Sequence, residues 1–354
     1  MKQKRIVHVL VPDKFGLPFI QFINKEFNTG EHIFLCTVKP PDSLLLTNAN
    51  ILFLHSPYRK NMIKNFLLFK KCIQQAGKII MHGIPALFYF LFFPQAIKKI
   101  YWIILGYELG DSSVAAENEK SNSWQSRIKD FVLQKVYGHI THIKGDSVLA
   151  NFQFGSAAKF FYSPIYLSNV VPEYTAENFT TVNRPGVKKI LVGNSTCPTN
   201  DHASIFKMLL PYRENDILIY CPLSYGNYPG YKEEVVKEGH LLFGNKFIPV
   251  NNFMQPDEYK HFLEEIDIAV FNHKRQEAMG VTLALINMGK VIYMNSQTTA
   301  FASLNKRGIK VFDNRLVENE GLFAERNIST NNAAVYAEYN YTKLKNSLEI
   351  IFNN

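Results

Sequence analysis

The chain has 354 residues, 47% of them apolar and 19% charged, which excludes a disordered protein and is long enough for two domains with separate cores. Its formal net charge is +9, and the excess lies in one half: residues 1–165 hold twenty Lys and Arg against ten Asp and Glu, residues 166–354 nineteen against twenty. The four cysteines, without C-x-x-C spacing, argue against a disulfide framework or a zinc site and for reduced core thiols in a cytoplasmic protein.

The start, "MKQKRIVHVLVPD", is basic and then apolar, but the apolar run is too short for a signal peptide and reads as a first strand, "RIVHVLV". After the loop "PDKFG" a helix is predicted over residues 18 to about 27. Strands are predicted at "HIFLCTV", "ANILFLHS" and "KIIMHG", with helices between the last two and after His82. Strand, loop and helix recurring at short intervals argue a parallel sheet covered on both faces.

Residues 51–100 contain eight basic residues and no acidic one, alternating with "NFLLF", "ALFYFLFFP" and "IYWIIL". A basic surface beside exposed apolar groups fits an anionic membrane surface, at roughly 1 kcal/mol per basic residue near the lipid; the other reading is core segments with solvated lysines. The stretch 86–105 is not read as a membrane span, because Pro94 and the Lys98–Lys99 pair sit in its middle. Nucleic acid is not predicted as a partner: there is no recognition module, and Lys outnumbers Arg in the basic region.

Residues 110–127 read as an exposed loop before a helix, "IKDFVLQKVY". The polar, turn-rich "YTAENFTTVNRPGVKK" (174–189) reads as a linker. A second series of strands follows at "KILVGNS", "DILIYCPLS", "KFIPVNN", "DIAVFN", "KVIYMN" and "IKVFDN". Helices fit at 202–210, 229–238, 256–265 and 282–288, and "TKLKNSLEIIFNN" reads as an amphipathic C-terminal helix. The expected domains are 1–173, which includes the basic stretch read as membrane-facing, 186–340, and the tail helix 341–354.

Within the second half, "DIAVFN", "RQEAMGVTLALINMGK" and "KVIYMN" make a βαβ unit, and the loop after its first strand is where open α/β sheets bind ligands. Free N–H groups at the helix start, near Gly280, Val281 and Thr282, can hold a phosphate. Neither half carries the G-x-G-x-x-G of a dehydrogenase, and there is no Walker A motif and no metal-ligand cluster. Two Rossmann-like halves still leave a glycosyltransferase, an epimerase or a periplasmic-binding-type protein.

Read together and in order, "HVLVPDKFGLPFIQFIN", "IIMHG", "YWIILGYEL", "ILVGNS", "CPLSYGNYPGYKEEVVKEG" and "RQEAMGVTLALINMGKVIYMN" resemble glycosyltransferase family 56, the TDP-N-acetylfucosamine:lipid II N-acetylfucosaminyltransferase family. The resemblance implies an α/β fold of GT-B type, with two Rossmann-like doubly wound domains facing a central cleft and no metal. It implies transfer of a (N-acetyl)fucosamine-type deoxysugar from a dTDP- or UDP-linked donor to a polyprenyl-diphosphate-linked glycan, by a peripheral protein on the cytoplasmic face of the bacterial inner membrane. A sugar-nucleotide epimerase and a non-catalytic nucleotide-sugar-binding protein remain as alternatives.

Such a transfer needs fixed positive groups for the diphosphate and a base for the acceptor hydroxyl. Gly193, Asn194 and Ser195 are assigned to donor contact, or else form a capping turn. Arg275, with the helix start at Gly280, Val281 and Thr282, is assigned to the diphosphate, or else Arg275 pairs with Glu277. Tyr225 stacks on the base, reaches a phosphate or only packs. Asp13, His82 and Glu108, near strand ends of the first half, are the candidate bases or else caps and structural partners; Glu108 corresponds to an aspartate of the family.

Overall fold

The computed structural model describes residues 5–110, 123–173, 186–226 and 228–354. Among these, residues 5–109, 123–170 and 341–354 form one compact unit and residues 171–173, 186–226 and 228–340 another. Parallel strands buried on both faces need near-continuous apolar runs, and those runs set the strands of both units. In the first unit they are Arg5–Leu10 (β1), His32–Cys36 (β2), Ile51–Phe53 (β3), Ala76–His82 (β4), Ile100–Ile103 (β5), Gly138–Thr141 (β6) and Lys159–Tyr162 (β7). They form one sheet of order β3-β2-β1-β4-β5-β6-β7, every pair parallel.

The second unit repeats the scheme with Lys188–Val192 (β8), Ile217–Pro222 (β9), Phe247–Val250 (β10), Ile268–Val270 (β11), Val291–Met294 (β12) and Phe312–Asp313 (β13). Its order is β10-β9-β8-β11-β12-β13, again all parallel. Both units therefore have the doubly wound order, which reverses between β1 and β4 in the first and between β8 and β11 in the second.

The helices 16–26, 202–209 and 256–265 fall close to prediction. The segment "IYWIIL" is settled as core where it forms β5: Ile100, Trp102, Ile103 and Ile104 are fully buried. Strands β6 and β7 were not anticipated, because "GHIT" and "KFFY" are four-residue runs with too few apolar positions to stand out. The expected loop 110–127 gives way at Ser123, whose Oγ accepts the Ser126 N–H and starts the helix Trp124–Leu133; residues 111–122 lie outside the described residues, as do linker residues 174–185.

The last helix, Tyr341–Asn353, packs in the first unit, where Leu344, Leu348 and Ile351 are buried against β1, β2 and β4 side chains. Each such side chain contributes about 1.5–3 kcal/mol on burial. Tyr341 Oη donates to Glu26 at 2.7 Å, Lys345 pairs with Glu26 at 2.9 Å, and Ser347 Oγ meets Ser163 Oγ at 3.0 Å. The tail is thus part of the first unit's core. Cys36, Cys72, Cys197 and Cys221 are buried free thiols. No helix among the described residues is long and apolar enough to cross a membrane.

Candidate active site

In the second unit the loops after β8 and β11 diverge at the strand-order reversal, the position where open α/β sheets receive ligands. Gly193 ends β8 with φ +63°, and a Cβ there would lie 2.6 Å from His202 Nε2 and 2.8 Å from Asn200 Oδ1. The turn therefore requires glycine. Asn200 organises the loop: its Nδ2 donates to Ser195 Oγ and the Cys197 carbonyl, both at 3.1 Å, and its Oδ1 accepts the Asn194 N–H at 2.8 Å. With its amide oriented this way, Asn200 Oδ1 also accepts from His273 Nε2 at 3.1 Å, which requires the Nε2–H tautomer of His273. The same nitrogen reaches Asn194 Oδ1 at 3.1 Å. Burial, and then the charge of Arg275, pushes the His273 pKa down to about 3, so the ring stays neutral and binds the two loops as a plain hydrogen-bond donor.

Arg275 is not spread on the surface. Its Nε and Nη2 both lie 2.6 Å from Glu277 Oε1, and both side chains are largely buried. Glu277 is itself fixed by the Thr199 hydroxyl, 2.7 and 2.8 Å from its two oxygens. The Arg275–Glu277 pair, offered as the alternative to a diphosphate contact, therefore exists, and it holds one edge of the guanidinium against the β8 loop. Cys197 Sγ lies 3.8 Å from Arg275 Nη2.

The helix after β11 runs Met279–Asn287, three residues earlier than predicted, and starts from Ala278 in the left-handed region (φ +56°) with no side-chain cap. Thr282 corrects the prediction: its N–H already donates to the Ala278 carbonyl at 2.8 Å and the residue is 1% exposed. The first-turn N–H groups without a carbonyl four residues back in the helix are those of Met279, Gly280 and Val281, and the last two residues are half-buried. Ser195 is also buried, its Oγ occupied by Asn200 and by the Cys197 N–H at 3.3 Å, so of the glycine turn only Asn194 keeps partial exposure.

Tyr225 acts through its backbone: its carbonyl accepts the Thr196 N–H at 2.7 Å and the Thr196 hydroxyl at 3.0 Å, while the ring is 53% exposed. Tyr228, which the sequence reading passed over, hydrogen-bonds Cys197 and feels the charges of Arg275 and Glu277; the Cys197 contact and burial raise its pKa. Asn200 and His273 were missed as well. Their only sequence signal is position, in the loops directly after β8 and β11.

In the first unit the reversal falls between β1 and β4, where Asp13 in the loop after β1, His82 at the end of β4 and Glu108 in the loop after β5 lie at carboxyl ends of strands. Asp13 is exposed, and its Oδ1 accepts the N–H groups of Phe15 (2.9 Å) and Gly16 (2.8 Å) at the start of the helix Gly16–Glu26. Glu108 is 3% exposed and accepts the Leu105 N–H at 3.1 Å. His82 is buried, with Nε2 3.4 Å from His8 Nδ1 and Nδ1 2.9 Å from Tyr166 Oη. Gly83 (φ +69°) lets the β4 loop approach them: a Cβ there would be 2.8 Å from Tyr107 Oη and 3.2 Å from Glu108 Oε1. Burial and the nearby charges of Glu108 and Asp13 raise the pKa of both Tyr107 and Tyr166.

A parallel doubly wound sheet in each of two units, each presenting its chemistry at its own switch point, is the build of a GT-B nucleotide-sugar glycosyltransferase. Solved structures share that fold. Anabaena HepE, in a crystal structure with UDP-glucose, is 11% identical with a TM-score of 0.70, over 99% of this chain and 100% of that one. Sucrose-phosphate synthase from Thermosynechococcus elongatus is 10% identical with a TM-score of 0.69 over 99% and 98%. A putative UDP-N-acetylglucosamine 2-epimerase from Listeria monocytogenes is 13% identical with a TM-score of 0.54 over 99% and 95%. The family itself is shown by sequence: residues 6–342 match the model of glycosyl transferase group 56, described as 4-alpha-L-fucosyltransferase, and the chain belongs to that family.

Proposed function

We propose that this enzyme moves a (N-acetyl)fucosamine-type deoxysugar from a dTDP-linked donor to a glycan carried on a polyprenyl diphosphate, as one step of bacterial surface-polysaccharide synthesis. The observation that carries the donor half is the pairing of an uncapped helix start, Met279 to Val281, with a guanidinium held in place by Glu277. A diphosphate leaving group is stabilised by such fixed donors without reorganisation during the transfer. In this proposal the partly exposed Asn194 contacts the sugar and the exposed Tyr225 side chain stacks on the base. Anabaena HepE, of the same fold, is described with UDP-glucose bound.

On the acceptor side Asp13 is the base in this proposal, because it is the exposed carboxylate among the three candidates. Glu108 and His82, both buried, position the loops and Tyr166. As the acceptor oxygen bonds to the anomeric carbon, its proton passes to Asp13 and the bond from that carbon to the diphosphate oxygen breaks, the electron pair leaving with the nucleotide.

The lipid-linked acceptor is supported by the surface of residues 58–92. Met62, Ile63 and Leu67 are 55%, 73% and 57% exposed on the helix Met62–Gln75, with Phe92 at 53% and Trp124 at 58%. Ring contacts join Phe92 and Trp124 through Phe66 and Phe88: Phe66 to Phe92 at 5.4 Å, Phe88 to Phe92 at 5.4 Å and Phe88 to Trp124 at 5.9 Å. Arg59, Lys60, Lys64, Lys70 and Lys71 are exposed along the same helix and the loop before it. Exposed apolar groups with cations along the same helix suit the headgroup region of an anionic bilayer, where this enzyme docks on the cytoplasmic leaflet as a peripheral protein.

The test is transfer from dTDP-Fuc4NAc to an undecaprenyl-diphosphate disaccharide in anionic vesicles, alongside thermal stabilisation by dTDP, UDP, GDP and CMP. Product formation with stabilisation by dTDP that Arg275→Ala abolishes is the expected result. Stabilisation by no nucleoside diphosphate, or conversion of the donor to an epimer without an acceptor, would overturn the proposal.

A further inference from the structure

Three imidazoles and a phenol form one hydrogen-bonded row inside the first unit. His32 Nδ1 lies 3.0 Å from His8 Nε2, His8 Nδ1 lies 3.4 Å from His82 Nε2, and His82 Nδ1 lies 2.9 Å from Tyr166 Oη. The row follows one face of the sheet, from the amino end of β2, through the middle of β1, to the carboxyl end of β4, at the same end of the sheet as Asp13 and Glu108. Phe19, Phe34 and Phe352 pack against its rings at 4.7 to 5.8 Å and keep water from them. Both nitrogens of His8 and of His82 go to titratable side chains rather than to backbone carbonyls. No group of three or more His, Cys, Asp or Glu among the described residues is placed to hold a metal ion.

Such a row has a physical consequence. Burial holds His8, His32 and His82 neutral, His32 at about 4 and His82 at about 3. A neutral imidazole carries one N–H and one bare nitrogen, so along the row the tautomers are coupled. In one polarity Tyr166 donates to His82, His82 to His8 and His8 to His32; in the other every bond is reversed. Passing from the first to the second, with one proton entering at Tyr166 Oη and one leaving from His32 Nε2, carries a proton along the row and leaves no charged ring behind.

We propose that Tyr166, His82, His8 and His32 form a proton relay for the transfer reaction, with Tyr166 receiving from Asp13 the proton removed from the acceptor hydroxyl. The relay rests on the acceptor-side reading above. Protonated Asp13 gives its proton to Tyr166 Oη, and the Tyr166 proton passes to His82 Nδ1. The His82 Nε2 proton passes to His8 Nδ1, the His8 Nε2 proton to His32 Nδ1, and the His32 Nε2 proton leaves at the amino end of β2, where Glu31 is the neighbouring residue. The Asp13 carboxylate is restored and one proton has crossed the sheet. Tyr166 stands at the Asp13 end of the row: its ring lies 5.9 Å from that of Phe15, whose N–H binds Asp13 Oδ1. At the other end Glu31 precedes His32 and favours a proton on it.

The test combines kinetics with nitrogen NMR. His8→Phe places a ring between Phe19 and Phe34 and breaks the row in its middle; with folding checked by circular dichroism, kcat should fall at least about tenfold while KM for the donor stays within about twofold. His82→Ala should fall similarly and recover with added imidazole. The wild-type kcat should show a multi-proton dependence on deuterium fraction that His8→Phe removes. Folded His8→Phe enzyme with unchanged kcat would overturn the relay. Independently of activity, Tyr166→Phe should change the ring ¹⁵N shifts of His82 and also of His8 in the ligand-free protein; a change confined to His82 would show that the row is not continuous. Wild-type protein that transfers from no donor would sink the proposed function, and the NMR result would still decide the row.

Discussion

In the proposed donor site, Arg275 and Glu277 set what the β11 loop can bind. Two guanidinium nitrogens meet one carboxylate oxygen at 2.6 Å, and Thr199 holds the carboxylate from the other side. A lysine retains the charge without the planar fork. Arg275→Lys should therefore raise KM for the nucleotide sugar about tenfold, the cost of one lost charge-assisted hydrogen bond. An unchanged KM in initial-rate measurements would mean that charge alone matters there. Gly193 is constrained twice, by its left-handed backbone and by the His202 and Asn200 atoms under 3 Å from its missing Cβ. Gly193 could be singled out from "ILVGNS", but Asn200 and His273 could not, because they act through contacts spanning six and 79 residues to Asn194.

The helix Met279–Asn287 carries an apolar sequence because Met279, Leu283, Leu285 and Ile286 are buried in the second unit. Its start is strained: Ala278 adopts a left-handed conformation that costs a residue with a Cβ on the order of 1 kcal/mol. Ala278→Gly should raise stability by up to about 1 kcal/mol, less what a more flexible unfolded chain takes back. A urea midpoint that moves down instead would show that the strain is offset by contacts of the methyl group. The sheets also carry a pH dependence. Burial depresses His8, His32, His82 and His139 in the first unit, and His202 and His273 in the second, below the ordinary value of 6.5. These rings are neutral when folded and bind protons when unfolded, so their contribution is full above about pH 6.5 and is lost as pH falls toward about 4. With four such rings against two, the first unit should lose stability about twice as steeply. Both tryptophans, Trp102 and Trp124, lie in the first unit, so the urea midpoint of tryptophan fluorescence should fall between pH 6.5 and 4.5 faster than that of far-ultraviolet circular dichroism.

At the scale of the whole molecule the charge asymmetry of the sequence becomes a surface. Five of the eight cations of residues 51–100, Arg59, Lys60, Lys64, Lys70 and Lys71, are exposed on the helix that carries Met62, Ile63 and Leu67 or on the loop before it, while Lys78 and Lys99 bind carbonyls of Phe352 and Ala76. Each apolar side chain inserted into the headgroup region contributes on the order of 1 kcal/mol, and each nearby cation about as much. Ile63→Glu with Leu67→Glu should thus lower affinity for anionic vesicles at least tenfold in co-sedimentation, while circular dichroism and dTDP binding stay unchanged. Raising the salt should weaken wild-type binding through screening of the lysines. Vesicle affinity indifferent to both changes would remove the membrane from the proposal.

The sequence by itself determined the alternation of strands and helices, the two Rossmann-like halves and the family, and it pointed to the loops from which the candidate site is proposed, because apolar periodicity and glycine at strand ends are local signals. All six strands of the second unit were legible in this way. Tertiary structure decided the rest. The C-terminal helix belongs to the first unit because Leu344, Leu348 and Ile351 fill a core that no neighbouring sequence announces. Thr282 leaves the candidate site because the helix begins one turn earlier. His8, His32 and His82 are ordinary strand residues when read singly, and they become one row because the parallel order β2-β1-β4 sets strands distant in the chain side by side. Chemistry built from residues 24 and 74 positions apart depends on strand order and register, and those are fixed by packing rather than by any local pattern.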